Sequence, residues 1–189
     1  MHYGSYERDS MMARFAALLG SINVGGNRLK MADLVAAMET RGFQNVATVV
    51  ASGNLLFDHE SAPDAELENR IAAILKDEFE IDSVATVRSA EDLAAALAEN
   101  PFAGEGEDKF VHVHFLTGQP TAAQFSALIA DHEGRGPERL APATRALHID
   151  FVSSVGSSKL TRAFIERRLG CRGTARNVRS INRIIEKLS

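Results

Sequence analysis

Tryptophan is absent from the 189-residue chain, which also has a single cysteine and only two tyrosines. With Cys171 alone no disulfide can close within the chain, and a reducing cytoplasm is the setting it suits. No stretch approaches the roughly 18 consecutive apolar residues that span a bilayer, so no membrane is among the expected partners. The start has no charged-then-apolar signal peptide. Both tyrosines, Tyr3 and Tyr6, fall in the polar, patternless opening MHYGSYERDSM. Residues 1–11 are therefore read as a disordered leader, outside the fold. Any RNA-binding reading is left with a poor stock of rings for stacking bases on a sheet face, and no RNP-type octapeptide appears.

What the chain does have is charge, unevenly spread. Residues 60–108 carry 14 acidic and 3 basic side chains, whereas residues 159–187 carry 9 basic and 2 acidic ones. A basic end attracts phosphates or RNA, and it pairs equally well with an acidic end of its own chain or of a second copy.

The hydrophobic pattern reads as a duplicated order of elements. Residues 14–20 form a buried strand. Met31, Leu34, Val35 and Met38 recur on one face of a helix that Gly42 ends. Two short strands follow at 46–51 and 54–58. A helix from about Pro63 carries Leu67, Ile71, Ile74 and Leu75, and a fourth strand spans 81–88. Strand, helix, strand, strand, helix, strand is the split βαβ pattern of a ferredoxin-like sandwich. Ser89 and Asp92 then open a further helix as a capping box, and AGEGED at 103–108 reads as a linker. The order then recurs: strand 110–116, helix 121–130, a short strand within 138–140, strand 145–152, helix 158–169, strand 171–175 and a last helix from Asn177. The fold class expected is α+β: tandem ferredoxin-like units, antiparallel sheets with helices packed on one face. The units divide at residues 12–100 and 101–189, the second with an extra terminal helix.

The candidate site residues sit on loops that feed helices. In SINVGGN, Gly25 and Gly26 can take positive φ and leave N–H groups exposed, a concavity that suits an anion. Asn23 and Asn27 offer amides and Lys30 a charge. A tight turn with capping asparagines accounts for the same residues. In ASGN, Ser52 and Asn54 close a turn between strands, and no nucleophile elbow surrounds Ser52. In SSKLT, Ser157 or Ser158 is a natural N-cap, Thr161 lies just beyond, and Lys159 sits in the first turn, where a cation is disfavoured unless something negative binds nearby. In TARN, Arg176 is suited to bidentate contact with phosphate or carboxylate, and Asn177 to capping the last helix.

His112 and His114 alternate on one strand and His148 and Asp150 on another, a set that zinc would accept if the strands were neighbours. The alternation of Val111, Val113 and Phe115 instead assigns the histidines to a solvated face. No metal and no cofactor is assigned.

The blocks FAALLGSINVGGNRLKMADL, GFQNVATVVASGNLLF, VGSSKLTRAFIERRLG and TARNVRSINRIIEKL, in this order, resemble the bacterial family called domain of unknown function 1697. The resemblance implies two ferredoxin-like halves and supplies no activity. The chain departs from the family where Gly20-Ser21 stands for Arg-Gly, Ala51 for Gln, and Asn177-Val178 for Asn-Trp, so a guanidinium and a ring are missing there. Ser154 and Ser157 likewise stand where a Gly and an Arg are common. Three readings follow: a protein binding a small phosphorylated or carboxylated ligand, with or without catalysis; an RNA-binding module using the basic C-terminal helices; and an interaction protein that forms a homodimer through its oppositely charged ends.

Overall fold

The computed structural model describes residues 12–23, 26, 28–50, 53–60 and 63–189. The leader, Gly25, Asn27 and Ser52 lie outside the described residues. The first series of elements is β1 (Ala13–Leu19), α1 (Met31–Thr40), β2 (Gln44–Thr48), β3 (Asn54–His59), α2 (Ala65–Phe79), β4 (Ala85–Arg88) and α3 (Ala90–Ala98). The second repeats it: β5 (Val111–Leu116), α4 (Ala122–His132), β6 (Arg139–Ala143), β7 (Ala146–Asp150), α5 (Arg162–Leu169), β8 (Gly173–Asn177) and α6 (Val178–Leu188). The two antiparallel sheets have orders β2-β3-β1-β4 and β6-β7-β5-β8. One becomes the other when every strand number rises by four. The fold is α+β and ferredoxin-like, built twice.

Local chemistry sets the ends of the helices. Asp64 accepts the Leu67 N–H at 2.8 Å and starts α2. Ser89 with Asp92, and Thr121 with Gln124, form reciprocal capping boxes at α3 and α4, each satisfying two N–H groups that a helix start leaves orphaned. Gly42, at φ +91°, turns the chain out of α1 where a side chain at Cβ would be strained.

Each sheet buries both faces. On one side of the first, Leu34 and Met38 of α1 and Ile71 and Leu75 of α2 pack on Ala17, Leu55 and Phe57. The matching side of the second sheet sets Phe125, Leu128 and Ile165 against Leu147 and Ile149. The other faces share one core. There Leu93 of α3 and Ile181 and Ile184 of α6 pack against Ala16, Leu18 and Leu56 of the first sheet and Val113 and Phe115 of the second. Burying such side chains contributes about 1.5–3 kcal/mol each, so the third helix of each series ties the two sheets together.

Two expectations need correction. The histidines are not on a solvated face: His114 is 3% exposed and His148 1%, because α4 and α5 cover one side of their sheet and α3 and α6 the other. The histidine pairs also cannot converge. His112 and His114 lie opposite Ile149 and Leu147, while His148 lies opposite Val113, so the pairs face opposite sides of neighbouring strands. Finally, α5 begins at Arg162 and not at Ser158. Thr161 is its cap, accepting the Phe164 N–H at 3.2 Å.

Candidate functional site

Two arginines cross between the sheets, each standing just before the cap of a third helix. Arg88 ends β4 and sends Nη2 to the carbonyls of Leu116 (2.9 Å) and Arg145 (3.3 Å). Arg176 of β8 sends Nη2 to the carbonyls of Leu19 (2.8 Å) and Gly53 (2.9 Å). Leu19 and Leu116 end the first strand of their sheets, and Gly53 and Arg145 directly precede the third. The exchange is reciprocal.

The surroundings of the two guanidinium groups differ. Arg88 Nη1 meets the buried Glu68 carboxylate at 2.9 Å, and Arg145 Nη2 reaches the same carboxylate at 3.0 Å. Among the described residues Arg176 meets no carboxylate. Its Nε donates to Asn54 Oδ1 at 2.6 Å, and Nη1 to Thr174 Oγ1 and the Ala175 carbonyl, both at 2.8 Å. All five of its N–H donors are used, every one on a neutral acceptor among the described residues. Burial alone pulls the Arg176 pKa down to about 10, since a charge taken out of water without a counter-charge is costly.

Arg162, in the first turn of α5 and 44% exposed at its side chain, brings a second cation to this end of the sheets. It hydrogen-bonds Ser21 in the loop after β1 and comes within 3.8 Å of Glu166 on its own helix. On the other face of the same sheet lies His114, paired with Ala175 where Arg176 pairs with Val113. Burial, then the charges of Arg162 and Arg176, push its pKa down to about 4. Its Nε2 is buried without a partner among the described residues, against Gly173. The imidazole is therefore neutral at pH 7, and the sheet separates it from Arg176.

The structure places the sequence candidates as follows. Asn54 and Arg176 are brought together. Asn23, at φ +58°, closes its loop by accepting the Leu29 N–H at 2.7 Å, and Gly26 takes the positive φ expected of it, +97°. Lys30 is exposed at the start of α1 and provides no side-chain cap. Asn177 caps α6, accepting the Ser180 N–H at 2.9 Å, and Thr161 caps α5. Ser158 and Lys159 go elsewhere: the Ser158 hydroxyl bonds Glu138, and both residues line a separate cleft of about 110 Å³ with residues 135–138. Asn54, the first residue of β3, and Arg176 of β8 are thus joined, Ser21 and Arg162 add the start of the first loop, and Ser158 and Lys159 stay apart.

Arg162, Glu68, Arg88 and Arg145 were not singled out by motif, and His114 was weighed only as a metal ligand. Arg88 alone has a signal, a positional one: an arginine stands immediately before a helix cap in both series. A cleft of about 370 Å³ between α3 and the β6–β7 turn, lined by Ala96, Phe115, Arg88 and Arg145, has no local sequence mark either.

This geometry can be set beside known proteins. A family model described as "Protein of unknown function (DUF1697)" matches residues 12–148. The chain belongs to the DUF1697 family. The match holds the SINVGG and ASGN loops and the whole Arg88 arrangement, whereas Arg162 and Arg176 lie beyond it. No curated protein matches this DUF1697 chain. A solved structure, that of conserved bacterial protein SP0830 from Streptococcus pneumoniae, is similar at 22% identity with a TM-score of 0.66, covering 94% of this chain and 99% of that one. That likeness is one of fold.

Proposed function

We propose that this protein binds a small anionic ligand, phosphorylated or carboxylated, where the loop after β1, the β2–β3 turn and the first turn of α5 meet. The observation that carries this reading is Arg176, a half-buried cation held only by neutral acceptors among the described residues, with Arg162 at the same end of the sheets. An anion at their mouth offsets a charge the fold leaves unbalanced, and it is drawn there because fields in a low-dielectric surround are weakly screened. Arg28 and Lys30, both exposed, lie on the same loop as Ser21. A cytoplasmic setting agrees with this reading. Any chemistry at the cluster is electrostatic stabilisation of a phosphoryl or carboxyl group, since His114 is a buried neutral ring on the other face of the sheet from Arg176.

The test is a thermal-shift panel of nucleotides, sugar phosphates and dicarboxylates on wild type, Arg162→Ala and Lys159→Ala. A ligand at about 100 times its Kd stabilises the native state by about 2.7 kcal/mol. The shift should be lost in Arg162→Ala and kept in Lys159→Ala, whose side chain lines a different cleft. Absence of a shift with every anion would refute the reading.

A second reading has one observation behind it. Arg179, Arg183 and Lys187 are exposed at i, i+4 and i+8 on α6, and a basic stripe of this kind can follow a phosphate backbone. Stacking of bases on a sheet has no support, because helices cover both faces of each sheet. Binding of a short RNA that falls steeply with salt and fails in Arg179→Ala/Arg183→Ala would favour this alternative.

A further inference from the structure

Arg88 and Arg176 occupy one position of a duplicated unit, and the registers make the match residue by residue. Arg88 lies opposite Ala16 and Thr86 opposite Leu18; Arg176 lies opposite Val113 and Thr174 opposite Phe115. Leu19 and Leu116 match as carbonyl acceptors, as do Gly53 and Arg145. The molecule therefore displays the same arginine in two settings.

In the first setting a carboxylate is present. Glu68 stands four residues after the α2 cap Asp64, and its Oε1 takes both Arg88 Nη1 and the strand-edge N–H of Val87, each at 2.9 Å. Arg145 adds a second guanidinium to the same group. With Arg88 Nη1 so engaged, the Thr86 hydroxyl is left buried and without a partner among the described residues. In the second setting the residue four after the cap Thr161 is Ile165. Among the described residues no carboxylate reaches Arg176: Glu166, one position further on, accepts instead from the Gly173 N–H at 3.2 Å, and Arg176 Nη1 turns to the hydroxyl of Thr174.

We infer that the Arg176 site takes from a ligand the carboxylate that Glu68 supplies to Arg88, so that the ligand is a small carboxylic acid. Its carboxylate accepts from Arg176 Nη1 in place of Thr174 Oγ1, and Thr174 is then left as Thr86 already is. Arg162 provides the second guanidinium, the part Arg145 plays in the first setting. The assignment rests on the reading of this cluster as an anion site. It favours carboxylate over phosphate on the count of donors. Nη2 is fixed by two carbonyls in both settings, so Arg176 releases one N–H on Nη1, which suits a planar monoanion shared with a second arginine. A phosphate dianion brings more acceptors than that edge can meet.

The experiment uses the full chain, with calorimetry and thermal shifts for acetate, succinate and inorganic phosphate at matched ionic strength. Wild type should bind a carboxylate and not phosphate. Arg176→Lys should weaken that binding about tenfold or more, the loss of a charged hydrogen bond, and Thr174→Val, which removes the competing hydroxyl, should keep or tighten it. Glu68→Ala empties the first setting and should gain a second carboxylate-dependent rise in melting temperature. Phosphate binding without carboxylate binding, lost in Arg162→Ala, would overturn the carboxylate assignment and leave the anion site standing. No binding of either would overturn both. A folded Glu68→Ala that gains nothing from acetate would remove the equivalence on which the assignment is built; where that variant does not fold, the Thr174→Val result decides, and a loss of carboxylate binding there overturns it.

Discussion

His114 carries a test of how tightly the second sheet is closed. In the unfolded chain a histidine binds its proton at about 6.5, whereas in the native state His114 resists it down to about 4. Between these values the unfolded chain holds the extra proton. The contribution of His114 is therefore complete above pH 6.5 and declines as pH falls toward 4, by roughly 3 kcal/mol in all. His112 and His148 act in the same direction, both lowered first by burial. Urea unfolding followed from pH 7 to pH 4.5 should show the decline, and His114→Gln should flatten part of it. A profile unchanged by that substitution would place the imidazole in contact with water. Gly173 is the neighbouring constraint. A Cβ there would lie 2.6 Å from both His114 Nε2 and the Phe115 carbonyl oxygen. Gly173→Ala is expected to cost about 1–3 kcal/mol, as overpacking does, read from the urea midpoint. At this scale the sequence pointed to Arg176, Asn54 and Asn177 because each sits in a short polar block, although the structure sets all three in strands. It hid Arg162, whose meaning depends on what lies across the sheets, and it put the histidines on the wrong side of a binary choice because period two also fits a strand buried on both faces.

Among the elements, the helix starts were the most legible. Asp64, Ser89, Thr121 and Asn177 each sit where a cap is needed and each accepts a backbone N–H. The exception was α5, where Ser157, Ser158 and Thr161 compete as caps within five residues. Ser158 is drawn off by Glu138, and Thr161 is left to cap the helix. Thr161→Ala should accordingly destabilise by about 1 kcal/mol, the usual cost of losing such a cap, and Ser157→Ala should not. The pairing of α2 with β4 is the stronger constraint. Glu68→Gln leaves Arg88 and Arg145 with a neutral partner in a buried place, and loss of one member of such a set typically costs 3–5 kcal/mol. Chemical denaturation of Glu68→Gln and of the double variant Glu68→Gln/Arg88→Met checks this. The double variant should recover part of the loss, because it removes the unpaired charge as well. No motif announces this triad, since its members are separated by 20 and 77 positions in the chain.

On the scale of the whole molecule, the order of elements and its repetition were readable from hydrophobic periodicity, whereas the relation between the sheets was not. That relation is made by α3, α6 and the crossing arginines, all contacts between distant residues. It has a consequence for cooperativity. Ile181 and Ile184 of α6 cover Ala16 and Leu18 of β1, so a chain ending at Asn177 uncovers both sheets. Such a truncation should abolish a single sharp thermal transition followed by circular dichroism. A chain that still melts in one step with both sheets protected from hydrogen exchange would show that the shared core is dispensable.

The reciprocal arginines also bear on descent. A single β-α-β-β-α-β-α unit would carry an arginine aimed outward at carbonyls it does not possess, and the nearest supply of such carbonyls is another copy of itself. Two copies related by a two-fold axis satisfy each other, arginine for arginine. The duplicated chain preserves that handshake inside one molecule. Once the copies are joined in one gene they are free to diverge: one keeps its own carboxylate in Glu68, and the other, with Ile165 at that place, holds its arginine on neutral acceptors among the described residues.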